Sequence, residues 1–468
     1  MKGEPLRFTF FALMLRDRIL LAIALLVFFV VLLLTGGKDT FVNALLLGGL
    51  MVYLWILEVI PIYVTALLPF VLGVPLGILD ANQLALSYGD KNVFLFLGGF
   101  ILALSLEKSH VHKQVAKIII HIVGYSKPRI LLGFLISTAL LSMWISNTAT
   151  ALMMLPMALA VLTSLPKKDQ EGKFALFLML SIAYAASIGG MGTLVGSPPN
   201  IQMAGILDKS FGIEVDFADW MKIGIPIAVL MLTMVYAVFY FSLGAERKEH
   251  PEDFVLEKKP WTKNQIRVSL IFSVVVILWV FKKPIIELTG FPFSDEGAAL
   301  LGSLLLFIVP AEEKTSLLVW KDTEKLPWGI LLLFGGGLAL ASALESNGVI
   351  DYLTTFFDTF KTWDYFWLLT VIIAVAIFGT EFMSNLALVT VFIPIIGAFA
   401  LDSQYDVIQL CIPVTLAASC AFMLPVGTPP NAIVFSSGKI TIAQMARIGI
   451  IFNILALFLI ATIAYYFM

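Results

Sequence analysis

Trp144-Ile145-Ser146-Asn147-Thr148-Ala149-Thr150 is a polar knot set in apolar sequence, with Leu131 to Leu141 before it and Ala151 to Leu162 after it. Such a knot is either a kink in one buried helix or the tip of a helical hairpin. In lipid, non-helical backbone survives only where protein buries it or where it lines a wet cavity. Polar groups at that depth mark function by default. The knot returns as Glu381-Phe382-Met383-Ser384-Asn385-Leu386-Ala387.

Composition sets the class around the knots. Of 468 residues, 60% are hydrophobic and 13% charged, with mean hydropathy +0.97. A soluble domain is about a quarter charged. The apolar blocks run about 20 residues, enough to cross a bilayer. The fold class is an all-α polytopic membrane protein, with about 11 transmembrane helices and two re-entrant hairpins. A net charge of −2 carries no nucleic-acid signal. Cys411 and Cys420 share one apolar block and read as core residues. No cleavable signal peptide is expected, because Ile19 to Leu34 is long and no small-residue cleavage site follows. An enzyme is not expected: His-Glu-x-x-His, Gly-x-Ser-x-Gly and paired intramembrane aspartates are all absent.

The chain divides into four parts. Residues 1–40 hold a basic N-terminal segment and the first span, Ile19 to Leu34. Residues 41–244 form a first repeat, with spans at Phe41 to Ile60, Ile62 to Leu79 and Val93 to Leu106. Lys108 to Ile122 then reads as an amphipathic helix in the interface, with His110, His112 and His121 solvated. A hairpin at about 128–165 follows, then spans at Phe174 to Met191 and Ile223 to Leu243. Residues 245–265 are a mixed-charge linker. Residues 266–468 form a second repeat, with a hairpin at about 366–400 and a last span at Met445 to Phe467.

The repeat rests on landmarks in order. One offset of 238 relates Glu107 to Glu345, Ser142 to Thr380, Asn147 to Asn385 and Pro156 to Pro394. Ser197-Pro198-Pro199-Asn200 answers Thr428-Pro429-Pro430-Asn431 at an offset of 231.

Charge decides between kink and hairpin, since cytoplasmic loops are rich in Lys and Arg. If each knot segment leaves on the side where it enters, the N-terminus, Lys127/Arg129, Lys167/Lys168/Lys173 and the linker share one face. The acidic stretches Asp208 to Asp219 and Asp351 to Asp364 share the other. Full spans would put Lys127/Arg129 and Lys167/Lys168 on opposite sides, so the hairpin reading holds. Five spans and one hairpin per half make the halves inverted. The N-terminus is then cytoplasmic and the C-terminus external, in a multi-pass plasma-membrane protein.

Inversion brings both tips to mid-membrane, each beside a span broken at a double proline. Two prolines in a row break a helix. The fragments expose N–H groups at one end and carbonyls at the other. The first kind attracts anions and the second cations. Inverted repeats with broken helices are the mark of secondary transporters. No Lys or Arg occurs in the four motifs, so hydroxyls, amides and helix ends must do the binding. Composition leaves anion, cation and neutral solute open.

The paired motifs Ser146-Asn147-Thr148 and Ser384-Asn385-Leu386, with Ser197-Pro198 and Thr428-Pro429, resemble the divalent anion/sodium symporter family. Its bacterial INDY-type dicarboxylate transporters are the comparison. The resemblance covers roughly residues 41 to 467. It implies a homodimer in the lipid bilayer, working as an elevator on succinate, malate, fumarate, 2-oxoglutarate or citrate. It implies substrate contacts at Asn147, Thr148, Ser197, Pro198, Ser384, Asn385, Leu386, Thr428 and Pro429. It implies Na⁺ at Ser142, Ser146, Asn147 and Gly196, and at Thr380 and Asn385. This chain departs at Leu386, where the family has Thr. Sodium symport and sodium-independent dicarboxylate exchange are both compatible with that change. An oxyanion or metalloid efflux permease of similar hairpin design is a third reading.

Overall fold

The computed structural model describes residues 4–165, 170, 172–244, 260–312, 315–355 and 358–467. Among them the regular structure is helical, with only an isolated β-bridge from Pro310 to Ser316. Nine of the described helices are long and apolar enough to cross a membrane, and four shorter apolar helices accompany them. Lys167, Lys168 and linker residues 245–259 lie outside the described residues.

The first helix, α1 (Glu4–Thr35), is longer than the expected span, and its apolar stretch from Arg16 to Thr35 is only 6% buried. That face suits lipid rather than protein. Helix α2 (Thr40–Leu57) starts at Asp39, whose carboxylate accepts from Phe41 N and Val42 N. An acceptor there satisfies free N–H groups of the first turn.

The expected third span, Ile62 to Leu79, is not one helix. It breaks into α3 (Ile62–Thr65) and α4 (Leu68–Leu72), followed by a separate α5 (Ala81–Tyr88). Pro69 and Pro75 each remove an N–H from this run of 18 residues, so no continuous ladder forms. The loop carbonyls are met by side chains instead. Asn43 donates to Gly37 O and Leu76 O, and Trp55 donates to Ile62 O.

Helix α6 (Lys91–Lys108) leads to the short amphipathic α7 (Val111–Val123). His112 corrects the expectation of solvated histidines. It is 3% exposed, its Nδ1 lies 3.1 Å from Leu106 O, and burial pushes its pKa down to about 4. The helical period turns this position toward the core while Lys113 and Lys117 face outward.

Both knot segments fold as helical hairpins. The first pairs α8 (Lys127–Ser142) with α9 (Asn147–Thr163), across a four-residue turn, residues 143–146. Lys127 at its start is buried, with its ammonium 5.9 Å from the centre of the Phe174 ring, beyond the hairpin's far end. After it come α10 (Lys173–Gly190), a non-helical stretch, α11 (Pro198–Phe211) and α12 (Phe217–Ser242).

The second half opens with α13 (Lys263–Val280), α14 (Lys282–Thr289) and α15 (Asp295–Ile308), then α16 (Trp328–Ser346) and α17 (Val349–Thr355). Its hairpin pairs α18 (Tyr365–Gly379) with α19 (Asn385–Asp402). Lys361 before it meets Asp402 at its end, at 2.5 Å. The broken span is α20 (Val407–Ala418) and α21 (Pro429–Ser436), and α22 (Ile442–Phe467) closes the chain.

A charge clamp holds the acidic stretch before α12. Lys282 reaches Asp216 at 3.0 Å and Asp295 at 3.4 Å, and Lys283 reaches Asp216 at 3.1 Å. Burial pushes the Asp216 carboxyl up, but the two lysines outweigh it and hold the group below its ordinary value.

Candidate functional site: paired tips beside broken helices

The tips begin at helix starts. Ser146 is the N-cap of α9, its Oγ accepting from Ala149 N at 3.3 Å. Ser384 holds the same place before α19 and makes no capping bond, so its hydroxyl is free. The broken spans add two more starts. Ser197 precedes α11 without a capping bond, and Thr428 precedes α21 with its Oγ1 3.5 Å from Asn431 N. In both, proline fills the first two helical positions, where its missing N–H costs nothing. Four helix N-termini thus carry Ser or Thr.

Behind each start lies a matched hydroxyl, amide and carbonyl. In the first half, Ser142 Oγ stands 2.7 Å from Asn147 Oδ1 and donates to Ala186 O at 2.7 Å. In the second, Thr380 Oγ1 lies 2.6 Å from Asn385 Oδ1 and 2.8 Å from Ala418 O, so its one hydrogen serves two acceptors. One edge of the Asn147 amide faces Ser142 Oγ, Ala186 O and Gly196 O at 2.7, 3.0 and 3.2 Å. With nitrogen on that edge the amide's two hydrogens are shared among the three oxygens. With oxygen there, four oxygens converge, the donor set of a hard cation. Gly190 makes the approach possible, since a Cβ there would run into the Asn147 amide oxygen.

Exposure separates the roles. Ser146, Asn147, Thr148, Ser384 and Asn385 are half-buried, Pro198 is half-buried and Pro429 exposed, whereas Ser142, Gly196, Ser197, Thr380 and Thr428 are buried. Leu386 is 5% exposed and packs in an apolar cluster with Leu47, Met51, Leu340 and Leu344.

The two halves interlock. Helix α9 packs against α21, α10 against α21, and α11 against α19. Each hairpin therefore rests on the other half's broken span.

Sequence reasoning misread two residues and missed two. Asn200 and Asn431 belong to the four motifs whose hydroxyls and amides were expected to do the binding. Instead Asn200 Nδ2 donates to Gly190 O and Thr193 O, both at 2.8 Å, and Asn431 Nδ2 donates to Ala421 O and Leu424 O at 3.0 and 2.9 Å. They tie off the carbonyls freed by the breaks. Glu381 and Asn453 were missed: the two are buried and hydrogen-bonded to each other at 2.8 Å. A lone carboxylate between Asp364 and Asp402 was the available signal for Glu381. Trp144 packs on Trp279 and Phe217, at 6.3 and 6.2 Å between ring centres.

Comparison with known proteins agrees with this architecture. The family described as sodium:sulfate symporter transmembrane region matches residues 15–468. The chain is 37% identical over 433 residues to the sodium-dependent dicarboxylate transporter SdcS of Staphylococcus saprophyticus, covering 88% of this chain and 83% of that one. It is 38% identical over 435 residues to SdcS of Staphylococcus aureus strain USA300, with the same coverage. The fold is similar to the crystal structure of the Alcanivorax borkumensis YdaH transporter, with TM-score 0.60 at 10% identity, over 83% of this chain and 89% of that one. A multi-pass helical chain, a whole-length family match and relatives at this identity give one conclusion: the chain belongs to the sodium:sulfate symporter, or divalent anion/sodium symporter, family.

Proposed function

We propose that this chain is a secondary active transporter carrying di- and tricarboxylates of the succinate, malate, fumarate and 2-oxoglutarate class across the cell membrane, coupled to Na⁺. The observation that carries the reading is the matched pair Ser142–Asn147–Ala186 and Thr380–Asn385–Ala418, each set behind helix N-termini. The relatives named as sodium-dependent dicarboxylate transporters support it.

The chemistry runs from the residues. A dicarboxylate sheds water to enter the membrane and needs donors in return. Asn147, Thr148, Ser384 and Asn385 supply neutral donors at the tips, with the hydroxyls of Ser197 and Thr428 at the starts of α11 and α21, where Pro198 and Pro429 shape the helix entry. Four helix N-termini add partial positive charge. Na⁺, as co-substrate, sits behind the first tip on Ser142, Ser146, Asn147 and Gly196, and behind the second on Thr380 and Asn385. Each cation offsets part of the substrate's charge. Leu386 seats the second tip against α2 and α16.

The two repeats, residues 41–244 and 266–468, are inverted, with the linker cytoplasmic and the C-terminus external. The interlocked hairpins and broken spans move as one body against a scaffold that includes α2, α6 and α16, in a homodimer. Uptake of labelled succinate into proteoliposomes tests the reading. Accumulation that needs an inward sodium gradient supports it. Uptake that ignores sodium and needs internal dicarboxylate refutes the coupling.

A further inference from the structure

A cavity of about 260 Å³ lies behind the first hairpin, walled by residues of α6, α7, α8, the tip turn and α13. Its apolar walls include Leu106, Leu141 and three aromatic rings, Trp144, Trp261 and Phe272. Trp144 and Phe272 meet edge to face, 5.3 Å between ring centres. The cavity touches the first tip at Trp144 and Ile145, and Ser146, Asn147 and Thr148 are not among its walls. Of its lining residues, Leu140 and Trp261 are exposed, so the mouth lies on apolar surface. A guest that enters there comes from the lipid phase.

Two residues of the wall carry buried polar atoms without hydrogen-bond partners among the described residues, His112 Nε2 on α7 and Ser269 Oγ on α13. The whole His112 side chain is buried, and its other nitrogen sets its chemistry. Nδ1 lies 3.1 Å from Leu106 O. A carbonyl only accepts, so Nδ1 carries the hydrogen and Nε2 of the neutral ring is an acceptor. Ser269 can donate or accept. A buried polar atom left unpaired is costly, so a guest that brings a hydroxyl to this pair gains more than a plain hydrocarbon does. Size narrows the choice. A dry cavity of about 150 Å³ takes benzene, and drug-sized ligands fill about 300 Å³ or more. This cavity lies between the two, and its rings favour an aromatic guest.

We propose that the cavity binds a small aromatic alcohol, with its ring among Trp144, Trp261 and Phe272 and its hydroxyl donated to His112 Nε2 beside Ser269, and that the bound molecule wedges the first hairpin against α6 and α13 and slows transport. The second half rests on the transport reading above, in which the hairpin moves against α6. A guest that fits one arrangement of hairpin and scaffold holds the protein in it. It acts away from the substrate residues, so it lowers the maximal rate and not the affinity for substrate.

The experiment uses full-length protein in lipid nanodiscs and in proteoliposomes. Binding of radiolabelled 1-naphthol is measured against empty nanodiscs, which take out simple partition into lipid. 1-Methoxynaphthalene, similar in shape but with no hydrogen to donate, is the competitor. The expected result is saturable 1-naphthol binding, with the methoxy compound weaker by about threefold to tenfold. His112→Phe keeps a ring without an acceptor and should bring the two compounds level. Ser269→Trp fills the cavity and should abolish binding while succinate uptake persists. In proteoliposomes, 1-naphthol should lower the maximal rate of succinate uptake by the wild type at unchanged KM and leave the Ser269→Trp variant unaffected. No saturable binding above empty nanodiscs overturns the proposal, as does binding that survives Ser269→Trp. If His112→Phe does not fold, the wild type decides, and equal affinity for the two compounds overturns the hydrogen bond to His112. Binding with no effect on the maximal rate overturns the wedge. Binding by a protein that carries no succinate would instead remove the transport reading.

Discussion

The Thr380 hydroxyl donates to Asn385 Oδ1 at 2.6 Å, and the same hydroxyl reaches the carbonyl of Ala418 at the end of α20. Ser142 Oγ lies as close to the Asn147 amide, at 2.7 Å, and donates to Ala186 O in the other half. Hydroxyl, amide and helix-end carbonyl are thus brought together twice, by hairpins that enter different halves of one bundle. Asn147→Ala and Asn385→Ala are each expected to abolish succinate uptake. A single neutral hydrogen bond is worth roughly 0.5–1.5 kcal/mol, so neither variant should unfold. Uptake assays beside size-exclusion profiles check this, and wild-type uptake by both variants would remove the tips from the site.

Sidedness follows from the hairpins. Arg129 and Lys173 are exposed and flank the first hairpin, while Thr362 and Asp402 are exposed and flank the second. Single cysteines at Arg129 and Lys173 should be protected from an impermeant reagent applied outside intact cells. Cysteines at Thr362 and Asp402 should be labelled. Opposite behaviour of Arg129 and Lys173 would make the first knot a full span.

Leu386 tests how far a tip residue belongs to the site. Its side chain is buried among Leu47, Met51, Leu340 and Leu344. Leu386→Thr puts a hydroxyl in that cluster and should cost about 1–3 kcal/mol. The expected outcome is a lower melting temperature with the preference between succinate and 2-oxoglutarate unchanged. A shifted preference would place residue 386 at the substrate.

The clamp around Asp216 gives a pH prediction. Lys282 and Lys283 hold the Asp216 carboxyl below its ordinary value. A depressed folded-state pKa contributes stability above the unfolded value, and that contribution is lost as pH falls through the folded one. Asp216→Asn should therefore destabilise at neutral pH by about 1 kcal/mol, the scale of a solvent-screened pair. The gap between variant and wild type should close on acidification below the ordinary Asp range. A gap that persists at low pH would assign the effect to packing.

Much of this was legible because membrane helices write themselves in long apolar blocks and broken ones in prolines. The two knots, the double prolines and the Ser142/Thr380 match were all readable from spacing. The third span was not, since Ile62 to Leu79 is apolar enough to span while Pro69 and Pro75 deny it a continuous ladder. His112 was misread because its neighbours Lys113 and Lys117 suggested an exposed surface. Asn200 and Asn431 looked like donors to a solute because sequence does not reveal which carbonyls a break sets free. Glu381 was hidden for the same reason, as its partners are backbone N–H groups created by the second break.

The central claim is that substrate and sodium move together. The direct measurement is the accumulation ratio of labelled succinate in proteoliposomes without internal dicarboxylate, under an inward sodium gradient, before and after a sodium ionophore. The expected result is concentrative uptake that collapses when the gradient is discharged. Equal uptake with and without the gradient, appearing only when dicarboxylate is loaded inside, would contradict it.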